Sequence, residues 1–256
     1  MRTAMYAIIK KDFRGVASNR RLFSALFIVP LVLTVVLPSV FFLTIHFVPD
    51  DPDIAKLLSL LPEAARMESL ELTLSSMILN YILPVFFLMI PIMSASIMAA
   101  STFAGEKERH TLETLLYCPL TLKQIFQAKV WASFLLSMLI SLISFMAMFL
   151  VTETELFFLT GRLLIPSVSW LVVMLLLSPA ISLIAVTLIV RGSARAQSVE
   201  ESQQSAVFLI LPLILLIVGQ FTGILLISVW ILLCLSVVCA ILAWILFAKI
   251  HGTVHL

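Results

Sequence analysis

Apolar residues run in long blocks along this chain, and the polar residues collect between them. Residues 22–47, 77–104, 130–151, 163–190 and 207–248 contain no Asp, Glu, Lys or Arg. A hydrocarbon core roughly 30 Å thick takes about 20 apolar residues per helical crossing, so each of the first four blocks fits one span. The fifth block has 42 residues, enough for two crossings, and carries "GQFTG" at 219–223. Those two glycines fit either a tight hairpin between two helices or a G-x-x-x-G helix contact. With the hairpin, the pattern predicts an all-α membrane protein of six transmembrane helices, at about 22–47, 77–104, 126–151, 163–190, 205–219 and 224–248. The domain division is then a short segment 1–21 and a six-span domain 22–256.

Shorter patterns add detail. Met5, Ile8, Ile9, Phe13 and Val16 recur at spacings near three and four with basic residues between them. This predicts an N-terminal helix lying in the membrane interface, the other reading being a disordered basic leader. The run that follows is too long for a secretory signal and lacks a small-x-small cleavage site, so it reads as a retained first helix. Between the first two spans, "VPDDPD" opens as a turn, and the leucines beyond it predict one or two short surface helices. Asp50, Asp51 and Asp53 lack the Gly and terminal Glu of a calcium loop and read as solvated turn residues. Pro30, Pro38, Pro84, Pro91, Pro179 and Pro212 fall inside spans and mark candidate kinks. Ser94, Ala95, Ala99 and Ser101 permit close helix approach.

Composition agrees with this pattern. Only 12% of residues are charged and 62% are hydrophobic, against about 25% charged in soluble domains. Of the sixteen Lys and Arg, only Lys56, Arg66 and Arg162 fall on the outer side when the N-terminus is placed inside. Both termini are therefore expected in the cytoplasm of a multi-pass cell-membrane protein. Cys118 is then cytoplasmic, and Cys234 and Cys239 lie in the last helix as packing residues. The chain has no G-x-x-x-x-G-K-[ST] loop, no H-E-x-x-H and no G-x-S-x-G, and nothing in it points to nucleic acid. His46 stands at the outer end of the first span, where a polar contact or an interfacial position suits it. Ion-coupled transporters carry charges at membrane depth, and the charge-free blocks offer none. Energy, if used, is expected from a partner.

The longest charged interruption is "GEKERHTLETLLYCP", residues 105–119. Leu112, Leu115 and Leu116 stand at i, i+3 and i+4, while Glu106, Lys107, Arg109 and Glu113 supply the polar positions. A helix over about 106–116 would be roughly 16 Å long, ended by Pro119. The residues allow an amphipathic segment resting on lipid. They also resemble the coupling helix of permeases of the type-2 ABC exporter family, approximately E-x-E-x-G-T-L-E-x-L-L followed by proline. Glu106, Glu108, Thr111, Leu112, Glu113, Leu115, Leu116 and Pro119 match, His110 replaces the usual glycine, and Ala128-Lys129 stands where Gly-Lys is common. "ARAQSVEESQQSAVFLILPL" is similar to the cytoplasmic loop before the fifth span in sodium-efflux-type permeases, through Arg195, Val199, Glu200, Gln203, Gln204 and Pro212.

The resemblance implies a membrane-spanning permease subunit that is not itself an enzyme. Two cytoplasmic ABC ATPase subunits would bind ATP and magnesium and dock on the 106–116 helix. A second permease chain, the same or similar, would complete the pathway within membrane lipid. In this reading Glu106, Glu108 and Glu113 meet the ATPase, and Leu112, Leu115 and Leu116 face its groove or the spans. Cargo leaving through a pathway without charges is expected to be apolar or amphipathic. The competing readings are a membrane sensor or assembly factor that uses the same helix to dock a regulator, and an ion-coupled secondary transporter.

Overall fold

The structure is a computed structural model that describes residues 2–47, 69–108, 110–111, 121–193, 196, 198–221 and 229–253. The described secondary structure is helical throughout. Helix α1 (Arg2–Ser18) leads through Asn19, whose Oδ1 accepts from the Leu22 amide, into α2 (Arg20–Leu31) and α3 (Leu37–Phe47). There follow α4 (Leu70–Met77), α5 (Leu83–Phe87), α6 (Met89–Glu108) and α7 (Leu122–Thr160). The chain continues through α8 (Val168–Val172), α9 (Ser178–Ser193), α10 (Val199–Gln203), α11 (Val207–Phe221) and α12 (Val229–Thr253). Among the described residues, five continuous helical stretches are long and apolar enough to cross a membrane, and Val207–Gln220 is a shorter apolar helix.

Several helices overrun the charge-free blocks from which they were expected, because local capping, and not the edge of the apolar run, ends a helix. Expected at about 126–151, α7 begins at a reciprocal cap, with Thr121 Oγ1 accepting from Gln124 and the Gln124 side chain accepting from Thr121. It ends at Gly161, whose φ of 69° is left-handed. The span expected at 163–190 starts later, at Val168, because residues 163–167, which include Pro166, are not helical and Ser167 before the helix is extended. In "GQFTG", Gly219 and Gln220 are still helical, and Thr222 and Gly223 lie outside the described residues. The outer segment 48–68 also lies outside them.

Three of the expected proline kinks take one form. Each of Pro38, Pro84 and Pro179 follows a five-residue π turn, at Val32–Val36, Ile78–Ile82 and Val173–Leu177. Proline has no N–H for the carbonyl four residues back, and its ring crowds that carbonyl. In each case the residue before the proline donates one position further back: Leu37 to Val32, Leu83 to Ile78, Ser178 to Val173. This relieves the clash by local widening of the helix. Around the second turn, Trp170 Nε1 donates to the Leu79 carbonyl at 2.9 Å and Gln220 Nε2 to that of Tyr81 at 3.0 Å. Neighbouring helices thereby satisfy carbonyls that lipid could not.

The second long helix forms the centre. Its lower half, α6, packs against α7 and α9, and α9 packs in turn on α12. Small residues allow this closeness, with Ser94, Ala95 and Ala99 completely buried. Ring packing of Phe87, Phe145 and Trp170 closes the layer above. The last helix, by contrast, presents Trp230, Val237, Ile241 and Trp244 outward. Cys234 is exposed on it and Cys239 half-buried, so the expected packing role holds only in part for Cys239. His46 pairs with Glu71 at 3.4 Å, a polar contact at the expected outer end.

Candidate functional site

The charged residues missing from the middle of the apolar blocks meet at one end of the bundle. Glu106, in the last turn of α6, is only 8% exposed, and its carboxylate lies between two lysines. Lys11 of α1 approaches Oε1 at 2.9 Å, and Lys129 of α7 approaches Oε2 at 2.5 Å. Lys129 is 3% exposed, donates to the Thr102 carbonyl and sits 5.4 Å over the Phe103 ring. A buried ammonium persists only with such a complete set of partners. Asp12, 8% exposed on α1, stands beside this pair. Burial pushes its carboxyl up from 3.8 to about 6; Lys129 pulls it down, Glu106 adds to the rise and Lys11 opposes it.

Glu106 is thus turned inward, whereas the resemblance implies a place for it on a docking face. The helix expected over 106–116 is also interrupted. Glu106, Lys107 and Glu108 are the last turn of α6, which closes with the His110 amide donating to Lys107 O and the Thr111 amide to Glu106 O. These two bonds are the 5→2 and 6→1 contacts of a Schellman motif, with His110 in the left-handed position at φ 55°. Glycine is favoured there because it has no Cβ, which accounts for the glycine of the pattern that His110 replaces. We expect His110→Gly to raise stability by about 1 kcal/mol, read as a higher melting temperature of the purified protein. Leu112, Glu113, Leu115 and Leu116 lie outside the described residues.

The two sequence motifs, separated by about ninety residues, are joined in space. Lys107 Nζ donates to the Ala196 carbonyl at 2.9 Å, and Glu108 Oε2 accepts from the Val199 amide at 3.3 Å. A Cβ on Gly105 would stand 3.5 Å from Val199 Cγ2, so helix α6 and the start of α10 are in close contact. Ser198 caps α10 by accepting from Glu201, and the Ser193 and Ser202 hydroxyls meet at 2.6 Å. Glu108, Glu200, Glu201 and Gln204 remain exposed, while Gln203 is half-buried. Arg195 lies outside the described residues.

A line of hydroxyls continues from this node into the bundle. Lys129, Ser133, Ser137, Ser141 and Ser144 share one buried face of α7 at helical spacing. Ser137 meets Ser94 at 3.0 Å, Ser182 at 3.2 Å and the Pro91 carbonyl at 3.0 Å, tying α6, α7 and α9 together. Thr102 and Ser133 meet at 3.3 Å. The serine spacing on α7 was the available signal for this seam, and sequence reading passed over it. Replacing Ser137 by Ala should cost about 1 kcal/mol, a typical interhelical hydrogen bond in a membrane, measured by denaturation in detergent. Among the described residues no group of three His, Cys, Asp or Glu could hold a metal ion.

No curated protein and no solved structure matches the chain. Residues 54–196, more than half of its length, match the family model described as ABC-2 family transporter protein. The matched stretch holds α4 to α9, the Glu106–Lys129 pair, the Schellman turn and Ala196. By this match the chain belongs to the ABC-2 family, whose membrane domain lacks a nucleotide-binding site, and its long apolar helices are those of a multi-pass membrane permease.

Proposed function

We propose that this permease is one membrane half of an exporter driven by separate ATPase subunits, which engage the chain from Glu108 onward. The observation that carries the proposal is the tie between the end of α6 and the segment before α10, through Lys107–Ala196 and Glu108–Val199. A force applied to residues 109–120 would reach α6, and from it α7 through Glu106–Lys129 and α9 through the serine contacts. Membership of the ABC-2 family supports a partner ATPase, which would supply ATP and magnesium. The working unit we propose has two permease chains and two ATPase chains, with both termini in the cytoplasm. Helix faces as apolar as those of α12 suit an apolar or amphipathic cargo leaving the cytoplasm.

In this proposal Glu108, Thr111, Glu113 and the leucines at 112, 115 and 116 contact the ATPase, and Glu106 positions them from within. Glu200, Gln203 and Gln204, with Arg195, flank the same surface. The test is co-purification and ATPase stimulation with Glu113→Lys and with the pair Leu115→Ser and Leu116→Ser. Each leucine fully buried in an interface contributes about 1.5–3 kcal/mol, so the double variant should lose most ATPase recovery and cargo-stimulated hydrolysis while still inserting. Charge reversal at Glu113 should weaken docking through its effect on encounter and register. Full recovery and full stimulation in both variants would leave the segment as an amphipathic loop on lipid.

A further inference from the structure

Helix α1 is fastened to the bundle at three places. Ile8 packs on Ile125 and Ala128 of α7, Lys11 pairs with Glu106, and Val16 enters the main apolar core. Asp12 lies among these contacts. Its side chain is more than nine-tenths buried, and Oδ2 accepts no hydrogen bond from the described residues. The carboxyl lines a cavity of about 220 Å³ between α1, α6 and Thr111, bordered also by Asn19, Ser101 and Gly105. An ionised carboxylate oxygen in such a place lacks the donors that normally stabilise it, whereas a protonated carboxyl needs far less.

We propose that α1 is a pH-sensitive latch, held tightly on the ends of α6 and α7 when Asp12 is protonated and loosened when Asp12 ionises. The charged groups facing Asp12 are Lys11 from its own helix, Glu106 from α6 and Lys129 from α7; Leu22 of α2 borders the cavity with an apolar side chain. Both lysines are already paired with Glu106, and their pull on Asp12 offsets only part of the effect of its burial. The upward displacement of the Asp12 carboxyl from 3.8 to about 6 sets the direction. A group raised in the docked state strengthens docking below its free value, and that contribution is lost as pH rises through the docked value. Docking of α1 is therefore firm in acid, and by neutral pH it has lost the whole of this contribution. Acidifying from pH 7.5 to 5.0 should favour the docked helix about 10-fold. Because Lys11 leaves Glu106 when α1 departs, the latch also determines whether Glu106 is held from one side or two.

The latch can be tested without any ATPase, so its failure would leave the proposed transport function standing. Hydrogen–deuterium exchange of the full chain in lipid nanodiscs, corrected for the intrinsic pH dependence of exchange, reports protection over 6–18. Protection of α1 is expected to rise about 10-fold from pH 7.5 to 5.0, while that of α12 stays constant. Asp12→Asn, neutral and nearly isosteric, should show high protection at every pH, and Asp12→Ser should likewise remove the pH dependence. A flat profile in the native chain overturns the proposal, as does a native-like profile in either variant, or an equal rise in α12.

Discussion

Lys129→Met is expected to lower stability by about 3 kcal/mol, the lower end of the range for removing one member of a buried ion pair. The loss has two parts. The Thr102 carbonyl loses its ammonium donor, and Glu106 Oε2 loses its nearest positive charge while remaining buried. The lower end applies because Lys11, more than half exposed, still reaches Oε1 from the solvent side. Glu106→Gln should be damaging for the converse reason, since Lys129 has almost no access to water. Combining Lys129→Met with Glu106→Gln removes both buried charges and should recover most of the loss, because neither charge is then left buried without its partner. Denaturant unfolding of the purified variants gives the three values. Additive losses in the double variant would show that the two charges do not act as a pair. The same result bears on the proposed function: a Glu106 variant alters the α6–α7 junction, so its effect on the proposed ATPase docking has to be read beside its effect on stability.

Trp170→Ala should cost about 3 kcal/mol, with Trp170→Phe near 1 kcal/mol. Trp170 is 2% exposed, with Phe145 and Phe87 at ring-centroid distances of 5.3 and 5.7 Å. The alanine variant loses this packing, and the rigid helices around it cannot close the space. Transfer from lipid to protein interior adds little, because lipid tails are as apolar as the core, so the lower end of the soluble range applies. The phenylalanine variant keeps most of the ring contact but leaves the Leu79 carbonyl without its donor beside the π turn at Ile78–Ile82. A carbonyl freed in hydrocarbon has no water to turn to. Thermal unfolding in detergent separates the two terms. Equal melting temperatures for Phe and Ala variants would assign the whole effect to the hydrogen bond.

Much of the fold could be read along the chain because its signals are local. A run without charge is sufficient for a membrane helix, since each residue's transfer free energy depends little on which helix lies beside it. The prolines at 38, 84 and 179 announced disturbed helices for an equally local reason, the missing N–H of the residue itself. The Met5-to-Val16 pattern foretold a helix, and α1 is one, with Ile8 and Val16 on its inner face. The family resemblance also came from contiguous letters, those of 105–119 and 194–213, and the family model matches over 54–196. Helix ends were less legible: the Thr121 cap and the non-helical stretch before Val168 shifted them by several residues.

What only the tertiary structure decided are the pairings across distance. Asp12, Glu106 and Lys129 stand in three separate segments, and nothing in those segments announces that they share one buried place, which depends on how α1, α6 and α7 are rotated about their axes. An ordinary charged residue before a span reads as solvated; placed at the junction of three helices, the same residue has its protonation coupled to packing. Glu106 took an inward role for that reason, although its neighbours in sequence suggested an outward one. The contact of Glu108 with Val199 likewise required the ends of two helices to arrive at one level. Sequence by itself determined which segments leave water and which stay in it, because solvation acts residue by residue. The partners of each buried charge were left to the packing, because Coulomb and hydrogen-bond energies depend on distances between helices that no single segment specifies.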